Sequence, residues 1–246
     1  MRSSESVPAR PRTVAIVQAR MTSTRLPGKV MLPLAGAAML ARVVERAARI
    51  PGVDQVCVAM PEGEMHRPIA DLVGRLDGVA LVRGPEDDVL RRYVMAAEAC
   101  GAEVVVRVTS DCPFIDPDLS GALLAALRAA RAAAATLAYG RGFPHGLHIN
   151  IASAEALRAA DRESRDSFER EHVMPFIFAR PERFPTVTLG YAPDRSHWRL
   201  TVDDRADYER ASRVYDRLHP RNPVFGLAEI EALFAAEPAL IRTGGA

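Results

Sequence analysis

Arg20, Arg25 and Lys29 fall within one short stretch, "QARMTSTRLPGK", directly behind an apolar run. Ser23, Thr24 and Gly28 stand between them, and no acidic residue occurs from Gln18 to Val44. Cations at this density repel one another unless an anion sits among them. Hydroxyls and backbone N–H groups beside fixed cations are what phosphate oxygens require. Two later segments carry carboxylates: "RVTSDCPFIDP" with Asp111, and "RLTVDDRADY" with Asp203 and Asp204. Cations for phosphates and one or two carboxylates for a hydrated divalent ion together suit a nucleoside triphosphate with Mg²⁺.

The cationic stretch is not a P-loop. Ser23 stands where the first glycine of that motif belongs, and Val30 follows Lys29 where Ser or Thr is needed. The glycine-rich dinucleotide fingerprint is absent as well. Asp111 reads either as a metal ligand or as a turn aspartate, and Asp203–Asp204 can equally start a helix. Asp116-Pro117-Asp118 has the letters of the D-x-D motif of nucleotide-sugar glycosyltransferases, but flanking a proline the two acids read as helix caps. His145-x-x-His148 has three readings, the plainest being two hydrogen-bonding residues in a loop and an adjacent strand. As a metal pair on a strand, its members would point to opposite faces. As acceptor contacts, the imidazoles would meet an anionic group. His172 closes a helix before Pro175 or touches substrate, while Trp198, Phe176 and Phe178 read as core.

These residues need a frame to hold them. Short apolar runs at Thr13–Ala19, Gln55–Met60, Val79–Val82 and Ala102–Thr109 alternate with helical patterns at 39–50, 65–76, 85–100 and 117–135. That β-α order predicts a parallel sheet with helices on both faces, with ligands beyond the carboxyl ends of the strands. Later, 146–153, 186–191 and 197–204 read as strands of a different kind, 167–181 as a helix, and two helices finish the chain. With no linker visible, residues 13–246 read as one domain behind a disordered lead-in at 1–12.

The 246 residues are 48% hydrophobic, enough for a sizeable core, and the net charge is +1. A polynucleotide partner would need a broader basic field, so none is expected. The three cysteines, Cys57, Cys100 and Cys112, form no C-x-x-C pair or zinc spacing, which suits a cytoplasmic protein. No run approaches the length of a membrane span.

"VQARMTSTRLPGK", "RVTSDCPFIDP", "EREHVMPFIF" and "RLTVDDRADYE", in this order, resemble the cytidylyltransferases of the spore coat polysaccharide biosynthesis protein F type, relatives of the acylneuraminate and Kdo cytidylyltransferases. The resemblance covers about Thr13 to Leu240. It implies a Rossmann-like three-layer α/β/α sandwich, the nucleotide-diphospho-sugar transferase fold. It also implies transfer of CMP from CTP to an acidic sugar or similar anionic acceptor, with Mg²⁺, by a homodimer. Carried over by residue, it places Ala19, Arg20, Met21, Ser23, Thr24, Arg25, Lys29 and Ser110 on the nucleotide. Arg83 joins the nucleotide-binding candidates from "RGPEDD", which with "MPEGE" is one of the loops that could supply a base pocket. Arg20, Lys29 and Asp111 take catalytic roles, and Asp111 and Asp203 hold the metal. His145, His148, Asn150 and His172 face the acceptor, where many relatives carry "DGLDVEV" in place of "HGLHINI". Nucleotide-sugar glycosyl transfer and nucleotide binding without catalysis stand as alternatives.

Overall fold

The computed structural model describes residues 10–137 and 142–241. The chain runs β1 (Thr13–Gln18), β2 (Pro33–Leu34), β3 (Ala37–Ala38), α1 (Met39–Ala48), β4 (Gln55–Pro61), α2 (Arg67–Val73), β5 (Val79–Gly84), α3 (Val89–Ala99), β6 (Val104–Thr109) and α4 (Pro117–Ala130). It continues through β7 (Ala134–Leu137), β8 (Asn150–Ser153), α5 (Ala154–Glu163), α6 (Ser167–His172), α7 (Pro175–Phe178), β9 (Thr186–Leu189), α8 (Arg205–Leu218) and α9 (Leu227–Ala236).

Seven strands form one sheet in the order β5-β4-β1-β6-β8-β7-β9. The first four are mutually parallel, as the β-α alternation predicts. β8 runs antiparallel to both of its neighbours, and β7 and β9 return to the common direction. Side chains alternate between two cores. Ala15 and Val17 of β1 pack with α1, α2, α4, α8 and α9 on one face. Val14 and Ile16 pack with α3, α5 and α7 on the other. This is the expected three-layer α/β/α sandwich, and burial on both faces explains why these strands read as unbroken apolar runs.

Several expectations are corrected. The helix anticipated over 117–135 stops at Ala130, because Arg131 turns left-handed (φ 51°). Ala134 and Ala135 then enter β7, where they are fully buried. Alanine's helix propensity is overridden there by pairing with β8 and β9. The helix anticipated from 167 breaks at Val173 (φ 71°) into α6 and α7.

The strand anticipated over 197–204 joins no sheet, and its one bridge pairs Arg199 with His145. Its backbone is spent on two loops instead. Leu200 N–H donates to His145 O (2.6 Å) and Val202 N–H to Asp111 O (2.8 Å). Gly146 allows that approach. Its φ is +107°, and a Cβ there would lie 2.4 Å from Thr201 N.

Residues 1–9 of the anticipated lead-in lie outside the described residues. Arg10 and Arg12 are tied down, Arg10 to Asp54 and Arg12 to Gln55 and the Cys100 carbonyl, so order begins before Thr13. Among the described residues no helix is long and apolar enough to cross a membrane.

Candidate active site

The cationic stretch leaves the carboxyl end of β1 as a pinched loop. Met21 N–H donates to His66 Nδ1 (3.2 Å), Met21 O accepts from Gly28 N–H (2.9 Å), and the Thr22 hydroxyl donates to Glu86. Gly28 sits at φ +70°, a conformation costly for any residue with a Cβ, and starts the short 3₁₀ turn Lys29–Met31. That turn directs Lys29 inward, where it is 8% exposed. Arg20 and Arg25 stay at the rim.

The missing acidic partners come from elsewhere in the chain. Lys29 Nζ lies 3.2 Å from Asp111 Oδ2, 3.2 Å from Asp203 Oδ1 and 2.7 Å from Val202 O. Arg25 reaches Asp203 at 3.3 Å, and Arg20 comes within 3.9 Å of Glu171. The reading of the three cations as lacking carboxylate partners is therefore corrected. The partners were out of local view because Lys29 and Asp203 stand 174 positions apart.

The alternatives for the aspartates separate cleanly. Asp204 caps α8 through Asp207 N–H (2.9 Å), which leaves Asp203 to face the cleft. Arg199 holds the other oxygen of Asp203 at 2.7 Å. Asp116 caps α4 through Asp118 and Leu119 N–H and also accepts from Leu227 N–H at the start of α9. Both its oxygens are thus occupied, as the cap reading requires. Burial pushes the Asp111 carboxyl up, but the Lys29 ammonium and the Thr109 hydroxyl outweigh it and hold it below its usual range.

Asp111 and Asp203 meet on a single cation, so they can converge on a divalent ion. Among the described residues no three imidazoles, thiols or carboxylates are placed to hold a metal ion by themselves. Such an ion would draw its remaining ligands from water and phosphate, the coordination Mg²⁺ prefers.

The cleft so formed has a volume of about 410 Å³. Ala19, Arg20, Ser23, Thr24, Arg25, Lys29, Ser110, Asp111 and Asp203 all line it, with His145, His148 and His172 at one side. Met21 is not in the lining, and its backbone closes the loop instead. Arg83 is exposed on the outer strand β5 and lines no part of the cleft. Asn150 lies in an adjoining groove that shares Arg107 and the three histidines with the cleft.

Arg92, Arg107, Glu171 and Thr201 also line the cleft and were not anticipated. Arg92 is buried on α3 and donates to the Pro85 and Glu86 carbonyls. His145 and His148 precede β8 instead of lying on it, so the strand argument does not apply. Their rings stand 5.7 Å apart. Arg199 lies 3.3 Å from His145 Nδ1, a poor neighbour for a second metal ion. His172 ends α6 against Phe168, and Trp198 and Phe176 are core as expected.

Comparison with known proteins agrees with this geometry. The sequence profile described as "Cytidylyltransferase" matches residues 14–233. The chain is 30% identical to the spore coat polysaccharide biosynthesis protein SpsF of Bacillus subtilis, over 91% of this chain and 94% of that protein. A cytidylyltransferase structure from Leptospira borgpetersenii superposes with a TM-score of 0.88 at 27% identity, covering 96% of this chain and 98% of the other. A CMP-2-keto-3-deoxy-manno-octonic acid synthetase solved with CTP shares the fold (TM-score 0.63, 18% identity, 84% of this chain and 99% of the other). The match runs through the loop after β1 and both aspartate segments, and the chain belongs to the cytidylyltransferase family of nucleotidyltransferases.

Proposed function

We propose that this protein transfers CMP from CTP to an anionic acceptor, an acidic sugar or a related compound, and releases pyrophosphate. The observation that carries the reading is the meeting of Lys29, Asp111 and Asp203 at the carboxyl ends of the strands. An acceptor oxygen attacks the α-phosphorus in line, the bond to the β-phosphate oxygen breaks, and pyrophosphate leaves with its electron pair. Arg20, Arg25 and Lys29 neutralise the charge that grows on the leaving group, and Ser23, Thr24 and Ser110 orient it. No covalent intermediate on a side chain is needed. Asp111 and Asp203 would hold Mg²⁺, which when bound supplies charge stabilisation at the α-phosphate. The family resemblance supports a homodimer, and the three unpaired cysteines support a cytoplasmic setting.

Thermal shift with CTP, UTP, GTP and ATP, each with and without Mg²⁺, tests the nucleotide half. A shift selective for CTP and enlarged by Mg²⁺ is expected, and equal shifts for all four would remove the cytidine assignment. With an acceptor in hand, Asp111→Ala is expected to lower pyrophosphate release by at least about a hundredfold.

A further inference from the structure

Arg107 sits on β6 in the middle of the sheet, within a run otherwise made of valine and threonine. A guanidinium on a central strand costs solvation free energy unless a counter-charge meets it. Among the described residues, Arg107 forms no ion pair. Its contacts are Gln18 Oε1 at a long 3.4 Å and the Tyr93 ring at 5.9 Å, and its Nε is buried without a hydrogen-bond partner.

The register shows what lies beside it. Arg107 pairs with Asn150, Asn150 with Thr136, and Thr136 with Thr188. Directly paired residues project from the same face of a sheet. Arg107, Asn150, Thr136 and Thr188 therefore make one polar row across β6, β8, β7 and β9, spanning roughly 14 Å at the usual strand spacing. All four line the groove that adjoins the cleft. The Thr136 hydroxyl donates to Asn150 Oδ1 (2.8 Å). That bond leaves the Asn150 amide N–H groups without a protein partner among the described residues. The groove's volume is about 820 Å³, and among the described residues no carboxylate lines it.

We infer that this row reads the acceptor: Arg107 takes an oxyanion, carboxylate or phosphate, and Asn150, Thr136 and Thr188 take hydroxyls on an extended polyhydroxylated body. The inference rests on the cytidylyl-transfer reading, since it places the acceptor beside the cleft assigned to CTP. A guanidinium offers paired N–H donors to an oxyanion, and the amide and hydroxyls accept or donate as a polyol needs. The row favours hydroxylated anions over uncharged polyols and over anions with no hydroxyls to meet it, while Phe168, Met174 and Phe178 also line the groove.

Calorimetric titration of the full chain, with CTP and Mg²⁺ present, tests the assignment. The probes are glucuronate, glucose 6-phosphate, sorbitol and hexanoate. At least one hydroxylated anion is expected to bind, which also decides between carboxylate and phosphate, while sorbitol and hexanoate bind at least about tenfold more weakly. Arg107→Met is expected to weaken the hydroxylated anion about tenfold or more while leaving the CTP-induced thermal shift intact. Thr188→Val, at an exposed position that folding tolerates, is expected to weaken it about 2- to 10-fold without affecting hexanoate. Loss of the CTP shift in Arg107→Met would move Arg107 to the nucleotide and overturn the assignment. So would binding of hexanoate as tight as that of the hydroxylated anions, or no binding by either hydroxylated anion when CTP binds. If the wild-type chain shows no response to CTP, it is the cytidylyl-transfer reading that fails.

Discussion

At the scale of single residues, Lys29 ties the site together. Its ammonium separates two carboxylates that would otherwise face each other. Lys29→Met is expected to lower stability by about 1–3 kcal/mol, because it leaves two half-buried anions without their shared cation. Mg²⁺ should then raise the melting temperature of the variant more than that of the wild type, since a divalent ion can take the ammonium's place between Asp111 and Asp203. Equal responses to Mg²⁺ in thermal melts would separate the ammonium from the metal position. His148 offers a second test. Burial, and then the neighbouring His145, push its pKa down from 6.5 to about 4. The folded state thus holds the imidazole neutral while the unfolded chain protonates near 6.5. This contribution is complete above about pH 6.5 and is lost as pH falls toward about 4. Urea unfolding of wild type and His148→Gln across that window should show a flatter pH dependence in the variant.

At the scale of elements, the crossing of 142–149 over 198–202 decides whether His145, Asp111 and Asp203 share a cleft. Gly146→Ala must break that crossing, since the added methyl meets the Thr201 and Leu200 backbone. A loss of at least about 2 kcal/mol is expected in chemical denaturation, with a weaker response to Mg²⁺. The same crossing marks where the sequence stops being legible. β1, β4, β5 and β6 could be read because burial on both faces leaves a run of apolar residues with nothing to confuse it. Residues 197–204 alternate apolar and polar side chains as a half-buried strand does, but serve to join two loops, and alternation cannot tell a sheet partner from a loop partner. β7 was hidden inside an alanine run that favours a helix in isolation. Arg107 was passed over because a charge inside an apolar run has no local signature. Its meaning appears only when the register sets it beside Asn150, Thr136 and Thr188. The loop after β1 was the clearest signal, since its cations are dense and local. Their carboxylate partners lie on segments that only the fold brings near.

At the scale of the whole molecule, several carboxyls are held below their ordinary values in the folded state. The Thr13 N–H lowers Asp54, and the Thr22 hydroxyl lowers Glu86. Burial raises Asp207, but its hydrogen bonds from Arg199 and the Asp203 N–H outweigh it. Each folded pKa lies below the unfolded one, so each contributes stability above the unfolded value that is lost on further acidification. The chain is therefore expected to lose stability steeply below about pH 4, beyond the window of His148. Asp207→Asn should make that lower limb shallower in acid titrations followed by circular dichroism.

The bond between Lys29 and Asp203 also bears on how the protein comes into being. A ribosome delivers the amino-terminal strands first. β1, β4, β5 and β6 can pair while the last quarter of the chain is still unmade. Throughout that interval the loop after β1 holds its cations without Asp203, and the capping carboxylate of Asp116 waits for the amide of Leu227. An anion in the surrounding solution can meet the half-built cradle before Asp203 arrives. Slow translation beyond β6 would lengthen that exposure.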